Sequence, residues 1–293
     1  LGTDAPRFSD RRCSCLVVAG NRYEALPRLT QEALPMIRMM GTEFVHFYLL
    51  EQDGEVTLID AGVSGYRDTL EPALAEMGRS IADVKAIVLT HADPDHTGFA
   101  GELHRTHAIP VYVHRADGER TRQGKTKRTG ASPLDMLAML RHAHSRRVLR
   151  HMIANGGAKQ AKVAEVIVFD DGDELDVRGK LRAIHTPGHT EGHCVLYAPL
   201  ENALFVGDAV NNVDIVTGQP GAQVAPAPAN TSTEQAYESL SKIEQLEAGT
   251  LYFGHGDPSA AGTAAIVARA RARRSASSLT VRKSRLDKAL SRR

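Results

Sequence analysis

Two histidines and two aspartates fall within six residues in the stretch VLTHADPDHTG, residues 88–98. Imidazole nitrogens and carboxylate oxygens at this spacing suit metal binding or proton transfer, or else a polar surface turn. Three later fragments repeat the same residue types: His189 in HTPGHTEGH, Asp208 in FVGDAV and His255 in YFGHGDP. A mixed imidazole and carboxylate set suits Zn, Fe or Mn, whereas an all-oxygen set would suit Mg or Ca. The seven side chains His91, Asp93, Asp95, His96, His189, Asp208 and His255 exceed what one tetrahedral ion takes. They match two ions sharing a bridging carboxylate. Any one of the thirteen histidines, taken alone, reads as an ordinary core or surface residue. The signal is the joint occurrence, in order.

Such a set works only if rigid elements hold it. EFVHFYLLEQ (43–52) and GEVTLIDAG (54–62) read as two strands joined at Asp53-Gly54, a hairpin signal. Residues 66–78 carry helical spacing and stop at Gly78, and the continuous apolar run 84–90 fits a buried strand. A helix over 97–107 and a strand over 109–114 follow. Residues 115–133 are polar and basic, and predict a mobile loop. A helix is expected over 132–157, from Ser132-Pro133 to Asn155-Gly156-Gly157, with a stripe of Met136, Leu137, Leu140, Val148, Leu149 and Met152. Such a stripe is usually core, with a lid over a site as the alternative. Strands are expected at 173–179, 181–187, 193–199, 203–210 and 250–256, and a helix at 232–246. His91, Asp208 and His255 then lie in or at the ends of strands, where a sheet fixes side-chain positions.

Composition narrows the class. With 42% hydrophobic and 24% charged residues in 293, the chain is an ordinary globular protein. No apolar run approaches the length of a membrane span and the N-terminal segment is not a convincing signal peptide, so the cytoplasm is the expected location. Cys13 and Cys15 are too close for an ordinary bridge, and with Cys194 they cannot build a disulfide framework. Residues 264–293 hold ten Lys or Arg against Asp287, a charge of +9 that leaves −8 for residues 1–263. The basic tail, 275–293, reads as a solvated or self-docking segment in preference to a nucleic-acid binder.

From about Val45 to Asp257 the chain resembles the metallo-β-lactamase-fold superfamily, in LIDAG (58–62), THADPDHTG, HTPGHTEGH, GDAV and GHGD. The resemblance implies an α/β fold, a four-layer αββα sandwich, within a domain spanning 1–274 that includes a helical insert at 115–160. It also implies roles. His91 and His189 match ligands of a first metal, with Asp93 where the family has its second His of H-x-H-x-D-H. Asp95, His96 and His255 match ligands of a second metal, and Asp208 matches the bridging carboxylate. Asp60 matches an acid that orients ligands without binding metal, while His193 matches no ligand and is expected to support its loop. Asp93 is the departure. An anionic oxygen there favours harder metals such as Fe or Mn over Zn, and resembles loosely the flavo-diiron branch, although no length remains for a flavodoxin-like domain.

The expected activity is metal-dependent hydrolysis by a hydroxide, formed because two divalent ions, Zn foremost, lower the pKa of bound water from 15.7 to about 7. Asp95 is expected to orient that hydroxide and carry a proton to the leaving group. The fold alone does not select among thioesters, lactones, phosphodiesters and sulfate esters, and a small carboxylic ester, thioester or lactone is the preferred expectation. Asp208 stands where the best-known zinc β-lactamases carry Cys, which argues against antibiotic hydrolysis. Arg120, Arg122, Lys125, Lys127 and Arg128 would attract an anionic substrate, while an insert lid lined by Met136, Leu137 and Met139 would favour an acyl group. The alternatives are a non-haem iron oxygenase or diiron redox enzyme, and a binding protein acting through the basic tail. A homodimer is compatible with all three.

Overall fold

The computed structural model describes residues 36–274, apart from 128, 130 and 131. The expectations for Cys13, Cys15, Arg128 and the tail at 275–293 therefore lie outside the described residues. In chain order the strands are β1 (Met36–Gly41), β2 (His46–Gln52), β3 (Glu55–Ile59), β4 (Val84–Val88), β5 (Val111–His114) and β6 (Ile167–Phe169). They continue with β7 (Arg182–His185), β8 (Cys194–Ala198), β9 (Ala203–Gly207), β10 (Asn211–Val213), β11 (Pro220–Gln223) and β12 (Thr250–Phe253). The α-helices are α1 (Leu70–Glu76), α2 (Pro94–Thr97), α3 (Ala100–His107), α4 (Arg115–Gln123), α5 (Pro133–Met139), α6 (Ala143–Ala154) and α7 (Thr233–Glu244). A last helix, α8, covers 263–274.

Strands β1 to β6 form one sheet in sequence order, and β12-β9-β8-β7 form a second. Alternation along the strands dictates the layers. Phe47 and Leu49 of β2 pack with Leu58, Leu70, Leu74 and Leu103 in a cluster between the first sheet and its helices. Their neighbours Tyr48 and Leu50 point the other way, joining Ile59, Val88, Leu196 and Phe205 between the two sheets. Leu204 and Val206 of β9 face outward again, against Leu240 and Ile243 of α7 and Ile266 and Val267 of α8. Helix, sheet, sheet, helix is the resulting order, the αββα sandwich. Strands β7, β9 and β12 run in one direction, because β8 is antiparallel to β7 and β9 while β12 is parallel to β9. Their C-terminal ends therefore share one edge of the second sheet.

The Asp53-Gly54 hairpin forms as its sequence indicates: Gln52 pairs with Glu55, and both turn residues have positive φ. Four expectations need correction. Residues 115–123 form helix α4 in place of a loop, capped by the His114 side chain and ended at Gly124. Its buried face is Asp117, Gly118 and Thr121, so polar contacts hold it and no apolar stripe announces it. The expected helix 132–157 breaks into α5 and α6, where Arg146 donates to the carbonyls of Leu140 and Arg141. Leu134 (76%), Leu137 (57%), Leu149 and Ile153 are exposed, while Met152 packs on the core. Residues 173–179 are not a strand; Glu174 makes only an isolated bridge and Leu175 is buried by a turn. Strands β1, β6, β10 and β11 are additional, three of them only three or four residues long. The Arg side chains that open the basic segment dock on the chain's own acids, Arg271 on Glu244 and Arg274 on Glu234.

The turn that carries the site depends on one close approach. A Cβ on Gly98 would lie 2.2 Å from the Gly62 carbonyl oxygen and 2.4 Å from the Val63 carbonyl carbon, both backbone atoms that cannot rotate aside. Gly98→Ala is expected to cost about 1–3 kcal/mol in urea-monitored unfolding, the usual range for overpacking.

Candidate metal centre

The chain enters the site at the end of β4. Asp93 is extended (φ −96°, ψ 159°), as a residue preceding proline must be, and Pro94 then opens the single turn α2. That sharp change of direction presents His91 and Asp93 on one side and Asp95 and His96 on the other. His189 follows β7, Asp208 follows β9 and His255 follows β12, so the shared strand edge delivers the remaining three.

The structure brings all seven residues together. Donor atoms lie within 4.8 Å of one another in three groups: His91, Asp93 and His189; His91, His96 and Asp208; and Asp95, His96 and His255. Asp208 sits centrally, with carboxylate oxygens 3.5 Å from His96 Nε2, 3.5 Å from His189 Nε2 and 3.1 Å from His255 Nε2. His91 Nε2, His96 Nε2 and Asp208 Oδ1 are buried without any hydrogen-bond partner. Burying such atoms unpaired is costly unless a ligand meets them. These residues therefore fit a metal ion.

The four imidazoles are oriented from behind. His96 Nδ1 donates to Asp60 Oδ2 at 2.8 Å, and His91 Nδ1 to Thr90 Oγ1 at 3.0 Å, because that hydroxyl's own proton goes to Asp60. His189 Nδ1 donates to Asn230 Oδ1 at 3.1 Å; the Asn230 amide nitrogen donates elsewhere, to Ala225 and Thr233. His255 Nδ1 donates to the Phe44 carbonyl. Each Nε2 lone pair is thereby turned into the site, the arrangement that metal-binding histidines require. Asp60 holds its place through a left-handed backbone (φ 60°) and the amide of Thr90. His193 points no donor into the groups: its Nε2 accepts from the Asp208 amide at 3.0 Å and its Nδ1 donates to Thr186.

Three residues of the site have no counterpart among the sequence motifs: Arg120, Lys127 and Asp117. Arg120 Nη1 donates to Asp93 Oδ1 at 3.1 Å, and Lys127 Nζ reaches both Asp93 Oδ2 and His189 Nε2, the latter at 2.8 Å. Asp117, 1% exposed, accepts from the Ala92 and Gly192 amides and the Thr190 hydroxyl, and pairs with Arg120. Arg120 and Lys127, expected to draw anionic substrate, are turned inward onto Asp93. Nothing in their spacing from Asp93 signals this; the unforeseen helix α4 brings Arg120 there.

Electrostatics divide the site. Burial lowers the His96 pKa, but the carboxylates of Asp60 and Asp208 outweigh it and raise it to about 10. Burial likewise opposes Asp208 and Asp95 at His255, whose pKa is raised to about 9. His91 is pushed well below the ordinary value, by burial first and then by its imidazole neighbours. Burial would raise Asp93, yet Lys127, His189 and Arg120 together hold it well below the usual carboxylate range.

A metallo-beta-lactamase superfamily model matches residues 40–255, and the chain belongs to that superfamily of metal-binding hydrolases. It is 29% identical over 236 residues to the probable metallo-hydrolase YflN of Bacillus subtilis (strain 168), covering 78% of this chain and 86% of that protein. It is also 29% identical over 186 residues to the hydroxyacylglutathione hydrolase of Alkalilimnicola ehrlichii, covering 63% of this chain and 52% of that protein. Among solved structures, the metallo-beta-lactamase family protein TTHA1429 of Thermus thermophilus aligns with a TM-score of 0.58 at 27% identity, over 84% of this chain and 80% of that one. No helix among the described residues is long and apolar enough to cross a membrane.

In metal-free protein at pH 7.5, His96 and His255 both carry a second proton, since their raised pKa values lie above that pH. An ion taking both Nε2 atoms must displace it, so binding is expected to release about two protons, falling toward none above pH 10. Titration calorimetry in buffers of different ionisation enthalpy measures this number. Asp60→Asn removes the charge behind His96 and is expected to weaken metal binding by about 10–100-fold in a chelator competition.

Proposed function

We propose that the chain hydrolyses acyl compounds, namely small carboxylic esters, thioesters or lactones, with a divalent metal, foremost zinc. The carrying observation is the convergence of four imidazole Nε2 atoms with the carboxylates of Asp95 and Asp208 at one edge. The relative named hydroxyacylglutathione hydrolase supports an acyl substrate. A cavity of about 290 Å³ adjoins Asp93 through Arg120 and Lys127, with Glu191 and Thr231 on its wall.

In this reading the metal is held by donors drawn from His91, Asp93, His189, Asp95, His96, His255 and Asp208. A bound divalent ion supplies an acidified water and an electrophile for the substrate oxygen. The chain's own residues do the rest. Asp60 and Asn230 keep His96 and His189 in the tautomer that accepts on Nε2. His193 fixes the Asp208 backbone, and with it the carboxylate's position among three histidines. Asp95 lies 3.5 Å from His255 Nε2 and is less buried than its neighbours, the placement of a group that takes a proton from water and returns it to the leaving group. Burial of the surrounding imidazoles excludes bulk water from that transfer. The iron redox reading leans on Asp93 as an extra oxygen ligand, and the two cations on that carboxylate count against it.

Protein purified without added metal is expected to contain zinc, to cleave an aryl ester, an acyl thioester or a lactone, and to lose that activity to a chelator. Asp95→Asn is expected to lower kcat by about 10²–10⁴-fold without loss of fold. Iron with oxygen consumption and no hydrolysis would sink the proposal.

A further inference from the structure

We infer that the Lys127 ammonium is a built-in cation standing in for the first metal ion, so that the chain holds a single ion, on the Asp95, His96, Asp208 and His255 side. The inference rests on the metal-dependent reading above.

Lys127 Nζ lies between Asp93 Oδ2 and His189 Nε2, two of the three donor atoms of the first group. An ammonium has N–H groups to give and no lone pair, so it satisfies both acceptors in the same way that a cation would. It also competes with one: an ion binding those two atoms must first displace Nζ. The contact is sheltered, with the Lys127 side chain 13% and the Asp93 side chain 10% exposed.

Arg120 makes displacement of Lys127 insufficient. Its guanidinium holds the other Asp93 oxygen and is fixed from behind by Asp117, which is itself bound to the backbone on both sides of the site. Asp93 thus serves two fixed cations before any ion arrives. The opposite side has the reverse balance: among the described residues, Asp60, Asp95 and Asp208 face His96 and His255 with no Lys or Arg in their ion pairs. A dication entering this edge is attracted to the second position and repelled from the first. His189 Nε2 faces Lys127 and Asp208, while His91 groups with His96 and Asp208 on the other side. The ammonium places positive charge beside the cavity, where the oxygen of an acyl group or the charge of an anionic tail can meet it. Unlike an ion, it brings no water.

The Asp93 exchange and Lys127 belong to one device. An imidazole at position 93 would leave Arg120 with Asp117 alone, and a lysine facing three histidines would have no anion to hold it.

Metal counting on the full chain tests this. Wild type, Lys127→Met and Lys127→Gln are each equilibrated with zinc, freed of unbound metal and analysed for zinc per chain, with melting curves to verify folding. The expected values are one equivalent for wild type and a second, weaker equivalent for either folded variant. An anomalous-difference map of zinc-soaked wild-type crystals is expected to show one peak, with lysine density between Asp93 and His189. Two equivalents or two peaks in wild type would overturn the inference, whatever the variants do. A folded variant that stays at one equivalent would overturn it as well, by showing that the lysine is not what excludes the ion. No zinc in any protein would instead remove the metallo-hydrolase reading, and the lysine's role with it.

Discussion

Four imidazole Nδ1–H groups, each held by an oxygen acceptor, are the constraint on which the site rests. Asp60, Thr90, Asn230 and the Phe44 carbonyl come from four separate places in the chain. They must be in register before any Nε2 lone pair can converge. Only a rigid scaffold can meet that condition, and the sandwich meets it by ending β3, β4, β7, β9 and β12 at a common edge. The inter-sheet cluster of Tyr48, Leu50, Ile59, Val88, Leu196 and Phe205 sets how the two sets of strand ends face each other. Packing in the middle of the protein is therefore what holds the chemistry at its rim.

Charge placement is a second layer of organisation. A set of histidines and aspartates could share its charge evenly, but this one does not. Anionic groups are concentrated around His96 and His255, whose pKa values rise to about 10 and about 9. Cationic groups are concentrated around Asp93, held by Lys127 and Arg120. Two halves of one cluster, built on a shared Asp208, thus present opposite fields across a few ångströms. A substrate that spans the edge meets an acidic pocket suited to a dication on one side and a fixed ammonium on the other.

The sequence was most legible where local chemistry and tertiary position agree. The Asp53-Gly54 turn forms a hairpin because both residues accept positive φ, and the run at 84–88 is a strand in which Val84, Ala86, Ile87 and Val88 are buried. The order of His, Asp and His after strands marked residues that the fold brings to one edge, since strand ends hold side chains still. Legibility failed where stability comes from distant polar partners. Helix α4 carries no apolar stripe; it is held by buried Asp117 and Thr121, and the Asp117 carboxylate takes its partners from Ala92, Thr190 and Gly192. Strands β6 and β10 are three residues long, too short for a period to show. Residues 173–179 alternate like a strand yet turn back at Gly179 and Lys180, whose positive φ values interrupt the ladder.

The departure at Asp93 shows why a motif position and its environment have to be read together. Exchange of an imidazole for a carboxylate, taken alone, makes a harder ligand and suggests iron or manganese. Within this fold the same carboxylate is the anchor of two half-buried cations, and its oxygens are directed at guanidinium and ammonium. A ligand substitution that looks like a change of metal becomes a change in what supplies the positive charge. The two interpretations begin from the same residue, and they diverge only because α4 and the segment after Gly124 carry Arg120 and Lys127 to it.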